Sequence, residues 1–162
     1  MSINYQEAGN KGHSFIWEQR WDDAVKAFQI AISGRPNEPD LYDGLATAYR
    51  GLNDLEKALE NYQMAARLSK GDAIYLEQVA DVQEQLGQSN QAAQTYMAIG
   101  EMRLRDRRID EAVDKWLMAV RLNPNLLNAH RRLAAVYQRQ GNTQPAINEF
   151  MIVARLYEKQ ND

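Results

Sequence analysis

Five alanines, Ala24, Ala58, Ala92, Ala112 and Ala146, stand 34, 34, 20 and 34 residues apart. A fixed period of roughly 20–50 residues marks a chain built from stacked copies of one supersecondary unit. Each alanine sits in the same frame. Four residues on comes an aromatic ring: Phe28, Tyr62, Tyr96, Trp116, Phe150. Three beyond that stands a small or β-branched residue: Ala31, Ala65, Ile99, Ala119, Val153. Twelve before the alanine the residue is always small (Gly12, Ala46, Ala80, Gly100, Ala134). Nine before it the side chain is Phe15, Tyr49 or Tyr137, with Gln83 and Arg103 departing.

Residues three and four apart share a helix face, so Ala24, Phe28 and Ala31 form one stripe. Small residues let two backbones approach while the ring fills the space beside them. A single helix pair cannot bury both its faces, and stacked pairs can. With Pro36 and Pro124 at position 32 of their units, the pattern resembles the tetratricopeptide repeat over residues 5 to about 158. Lys70, Leu104 and Glu158 depart from it at that position. The resemblance implies an all-α, right-handed superhelical solenoid of antiparallel helix hairpins. As a rule such arrays hold other proteins along a concave face.

Turn signals fall between the periodic segments, at Gly34–Pro39, Gly51–Asp54, Lys70–Asp72, Gly87–Asn90, Asn123–Asn125 and Gly141–Thr143. Helices are therefore expected at about 4–18, 22–34, 40–51, 54–69, 73–86, 89–105, 109–122, 126–140 and 143–159, with Gly past their ends and Asp, Ser or Thr before their starts. No alternating strand pattern occurs. The 20-residue interval is 14 short of a full unit, about one helix and a turn. The segment 89–105 satisfies both registers, with Ala92, Tyr96 and Ile99 for one and Gly100 for the next. One helix is thus expected to serve the third and fourth repeats, giving nine helices. The repeats are placed at about 5–38, 39–72, 73–106, 93–126 (overlapping) and 127–160, in a single array.

With 44% apolar and 25% charged residues the chain has ordinary globular composition. A net charge of −3 argues against a general nucleic-acid binder. Cysteine is absent, so disulfides and thiolate chemistry are too. Met1–Glu7 has neither a basic segment nor an apolar run, and no stretch reaches the 18 or so apolar residues of a membrane span. A cytoplasmic location is the expectation.

Little in the chain suggests catalysis. His13 and His130 lack metal-ligating neighbours at helical spacing, and no phosphate loop or nucleophile elbow is present. Asp22–Asp23 and Asp110–Glu111 fit the first turns of helices, where acids complement the dipole. Met97, Met102, Met118 and Met151 read as core filler. No enzyme activity, cofactor or metal is expected.

Carried onto this chain, the positions that line the concave face in tetratricopeptide proteins are His13, Trp17, Asp40, Asp43, Thr47, Arg50, Glu77, Asp81, Glu84, Met97, Glu101 and Arg131. Five acids in the middle of the face imply a peptide or helix carrying Lys or Arg, with anchors near Trp17, Tyr49 and Met97. Some relatives clamp the C-terminal carboxylate of heat-shock chaperones. The matching positions here (Gly9, His13, Gly44, Ile74, Gln78) lack the clamp residues. Two alternatives stay open: a regulatory module of a larger enzyme or transcription regulator, and an RNA-binding solenoid supported by Arg103–Arg108 and Arg131–Arg132. The last helix carries apolar residues on more than one face, which points to self-association or a further partner.

Overall fold

A computed structural model of the chain describes residues 4–161. Among them lie nine helices and no strand: α1 Tyr5–Trp17, α2 Trp21–Gly34, α3 Pro39–Gly51, α4 Leu55–Leu68, α5 Ala73–Gln85, α6 Ser89–Arg105, α7 Ile109–Leu122, α8 Leu127–Arg139 and α9 Thr143–Asn161. They form two compact units, Met1–Gly87 and Gln88–Asp162.

In the first unit α1 pairs with α2 and α3 with α4. Helix α3 also packs on α2, and α5 on α4. The period-keeping residues explain the fit. Phe28 is fully buried because two glycines make room for its ring. A Cβ on Gly12 of its own hairpin would sit 2.8 Å from a ring carbon, and one on Gly44 of the next hairpin would overlap the ring outright. Around it cluster Ala24, Ala31, Leu41, Leu45 and Ala48. A second cluster gathers Ala46, Ala58, Tyr62, Val79 and Val82.

In the second unit α6 pairs with α7, α7 with α8 and α8 with α9. Trp116 is the largest fully buried side chain, packed with Ala112, Leu133 and Val136. Gly100 on α6 faces its indole as Gly12 faces Phe28.

The turns within hairpins repeat with the alanine spacing. Gln19, Asn53, Gly87, Arg107 and Gly141 all have left-handed backbone, φ between 56° and 75°. Each donates its N–H to the carbonyl three residues back (Ile16, Arg50, Glu84, Leu104, Gln138) at 2.9–3.2 Å. The following N–H of Arg20, Asp54, Arg108 and Asn142 reaches the carbonyl five back at 2.8–2.9 Å. These paired bonds close a helix C-terminus on one left-handed residue. Among the described residues no separate helix lies between residues 100 and 109, and α6 leads to α7 through a turn of this kind at Arg107.

Helix starts differ in part from expectation. Asn4, Asp54 and Asp72 cap through their side chains, whereas α2, α3, α6, α7 and α8 follow Arg20, Glu38, Gln88, Arg108 and Leu126 without a side-chain cap. Ser89 lies inside α6. In α2 and α7 the first-turn acids Asp22, Asp23, Asp110 and Glu111 supply the negative charge instead.

Candidate functional site

In the first unit α3 packs beside α1 and is joined to α5 by side-chain hydrogen bonds. On α3 the spacing of three and four residues lines up Asp40, Asp43, Thr47 and Arg50. Two of these four are tied to α5. The Tyr75 hydroxyl donates to Asp40 Oδ1 at 2.5 Å. The Arg50 guanidinium donates to Gln78 Oε1 at 3.1 Å and to Asp81 Oδ2 at 3.3 Å. Thr47 Oγ1 lies 3.0 Å from the Tyr62 hydroxyl, which rises from α4 beneath it. Burial first, then the bond to Asp40, holds the Tyr75 hydroxyl far above the ordinary tyrosine range.

Asp43 stands apart. Its carboxylate is half-buried and accepts no hydrogen bond among the described residues. Burial pushes its pKa up, the neighbouring Asp40 adds to the rise, and Arg50 and His13 oppose it. An ionised carboxylate in that position lacks the donors that would stabilise it. His13, exposed, lies edge-on to the Phe28 ring at 5.0 Å. Trp17, at the end of α1, is 88% exposed, so its indole is open to a ligand. Glu77 and Glu84 on α5 are half-buried and engaged with other groups. The other proposed anchor, Tyr49, belongs to the core instead. It packs beside both buried clusters, its hydroxyl accepts from Gln29, and Lys57 lies 5.2 Å from its ring centroid.

In the second unit Met97 and Glu101 of α6 and Arg131 of α8 meet in one cleft of about 580 Å³, with Asn128, Arg132 and Ala135 completing its walls. Arg132 grips Glu101 through two bonds of 2.8 Å, which neutralises that acid. Arg131 is exposed and makes no ion pair among the described residues. The two faces thus differ in sign. The first unit holds eight basic and fourteen acidic residues, net −6; the second holds eleven and eight, net +3.

The sequence does not single out Tyr75 or Tyr62 for the face, and it offers Arg132 only as a basic neighbour of Arg131, not as the counter-ion of Glu101. Tyr75 adjoins Ile74, one of the positions matched to the carboxylate clamp, so a wider arc on the helix wheel includes it. Tyr62 was assigned only to the core. Among the described residues no cluster of three His, Asp or Glu could hold a metal, and no helix is long and apolar enough to cross a membrane.

A family model described as tetratricopeptide repeat matches residues 16–105. An inactive TPR repeat-containing thioredoxin of Arabidopsis thaliana is 27% identical over 138 residues. That stretch is 85% of this chain but 17% of the relative, so the chain spans about a sixth of its length. Among solved structures, MamA 41-end from Desulfovibrio magneticus RS-1 is similar at a TM-score of 0.54. It is 16% identical, with 100% of this chain and 99% of that one covered. The TPR2B domain of yeast Sti1, solved as a pHsp70 complex, gives 0.59 at 22% identity over 70% of this chain and 96% of its own. At these identities the structures speak to the fold alone.

Proposed function

The chain belongs to the tetratricopeptide repeat family, and on that premise we propose that it is a non-enzymatic scaffold that binds a polypeptide on the face shared by α1, α3 and α5. The observation that carries this reading is Asp43, a half-buried carboxylate with no hydrogen-bond donor among the described residues. A Lys or Arg side chain from a partner supplies the missing donor and charge. Asp40 and Asp81, with His13, Thr47 and Arg50 around them, give that cation its surroundings, and Trp17 gives an apolar anchor. Charge complementarity of this kind sets association rate and selectivity more than affinity. The complex of the Sti1 TPR2B domain with pHsp70 supports peptide capture as work this fold can do.

The test is Asp43→Lys combined with Glu77→Lys, titrated by fluorescence anisotropy with a labelled Lys/Arg-rich peptide and with neutral and acidic controls. Affinity for the basic peptide is expected to fall at least about tenfold, equivalent to roughly 1.4 kcal/mol. The melting temperature should move by no more than a few degrees. Unchanged binding by the double variant, or equal binding of all three peptides, moves the site elsewhere.

A second reading is that the chain acts as the interaction module of a larger protein, such as an enzyme or a transcription regulator. The small share of the Arabidopsis relative that it matches favours this. The exposed apolar stripe of α9 supports self-association as a further property, taken up next.

A further inference from the structure

In four of the five repeats the ring that follows the alanine is closed off. Phe28, Tyr62, Tyr96 and Trp116 are at most 5% exposed, while Phe150 is 47% exposed. Phe28 shows what closure takes: one small residue behind the ring, Gly12, and one in front, Gly44, from the first helix of the next hairpin. Trp116 has Gly100 on one side and Leu133 of α8 in the same cluster. Phe150 has α8 behind it and, among the described residues, nothing in front.

The two faces of α9 are cleanly divided. Ala146, Glu149, Ile152, Val153 and Leu156 are buried or half-buried. On the opposite side Ile147, Phe150, Met151, Ala154 and Tyr157 are all exposed, spaced three and four apart. Positions 147, 150, 154 and 157 repeat as the seam of a two-helix coil does. The outward side of α1 offers this seam no match. Gln6, Glu7, Asn10 and Lys11 are exposed there, with Glu7 and Lys11 paired at 2.8 Å.

We propose that the α9 stripe is covered by the same stripe of a second copy, the two helices running antiparallel about a two-fold axis level with residue 152. This rests on the self-association reading above and fixes its geometry. In that register Phe150 meets Ala154 of the partner subunit, a ring against a small residue as in the interior repeats. The same register sets Ile147 against Tyr157 of the partner subunit. The stripe is therefore self-complementary, which a two-fold interface requires. Ile147, Phe150, Met151 and Tyr157 are 43–51% exposed, so each offers roughly 100 Å². Two copies cover about 800–1,000 Å², below the roughly 1,200 Å² at which standard specific interfaces begin, which gives a weak, concentration-dependent dimer.

The chain has no cysteine, so engineered thiols report pairing without background. Sedimentation equilibrium of the unaltered chain is expected to show monomer and dimer and nothing larger. Phe150→Glu with Met151→Lys, both at exposed sites, weakens association at least about tenfold with unchanged helicity and melting temperature. Under mild oxidation, a mixture of Ile147→Cys and mass-tagged Tyr157→Cys chains links at least about fivefold faster than either chain alone. A strict monomer at millimolar concentration overturns self-association itself. A dimer in which Ile147→Cys links to itself faster than to Tyr157→Cys overturns the antiparallel pairing while leaving self-association standing. Open-ended growth with concentration overturns the two-fold interface in favour of head-to-tail stacking.

Discussion

At Asp43 stability and binding pull in opposite directions. Burial and Asp40 raise its pKa in the folded chain. A carboxyl whose folded pKa is raised adds stability while protonated. That contribution is lost as pH rises from the ordinary Asp range through the raised value. At neutral pH the ionised form is therefore a small burden on the fold. Asp43→Asn removes the burden and is expected to raise the melting temperature slightly, by under about 1 kcal/mol in stability. The same variant should bind a Lys/Arg-rich peptide more weakly. In the unaltered chain that peptide should also bind less well as pH falls through the raised Asp43 range, because the protonated carboxyl offers no charge. Calorimetry in buffers of different ionisation heat, between pH 4 and 7, reads the accompanying proton release. A variant that binds normally, or unaltered binding that ignores pH, removes Asp43 from the site. The indole of Trp116 poses a different residue-scale problem. It is fully buried, and its Nε1 has no acceptor among the described residues. Gly100 supplies the room for the ring but no partner for its N–H.

Among the elements, α9 depends on a polar tie as much as on packing. His130 of α8 is buried, with Nδ1 2.6 Å from the Glu149 carboxylate and Nε2 2.9 Å from the Pro124 carbonyl. A carbonyl only accepts, so Nε2 donates to it. The ring thus joins α9, α8 and the turn before α8. His130→Ala strands a largely buried carboxylate and is expected to cost roughly 3 kcal/mol. Glu149→Ala should cost less, since the ring keeps its bond to Pro124. Urea unfolding with hydrogen exchange over α9 measures both. Equal and small losses would show that the tie carries no weight. His130 also illustrates what the sequence hides. No ligating side chain stands near it at helical spacing, but Glu149 lies 19 residues away and no local pattern announces the pair. The helices themselves were legible to within a residue or two, because alanine, ring and small residue recur at fixed offsets and burial follows them. The continuity of α6 was legible for the same reason, its residues satisfying two registers at once. The left-handed turn at Arg107 was not, since Gln19 and Arg107 hold a conformation that composition assigns to glycine.

For the molecule as a whole the decisive property is the division of charge. A net charge of −3 conceals a first unit at −6 and a second at +3. The acids of α3 and α5 stand at positions that the family resemblance implies for the face. Their pairing was not legible, because Arg50 to Asp81 and Tyr75 to Asp40 join residues 31 and 35 positions apart. Those bonds leave Asp43 as the open carboxylate on α3, while the remaining acids still shape the field around the unit. Field and contact therefore act on different steps of binding. Long-range attraction governs how fast a basic peptide arrives, and the contact at Asp43 governs how long it stays. The screening length is about 30 Å at 0.01 M salt and about 8 Å at 0.15 M. The association rate of a Lys/Arg-rich peptide, followed by stopped flow, should accordingly fall about tenfold between these conditions, while its dissociation rate changes less than about twofold. Asp43→Asn should do the reverse, speeding dissociation and leaving the salt slope of association nearly intact, since thirteen other acids remain in the first unit. An association rate indifferent to salt, or one matched by an acidic peptide, would place the encounter outside the first unit and return the question of the partner to the cleft of the second.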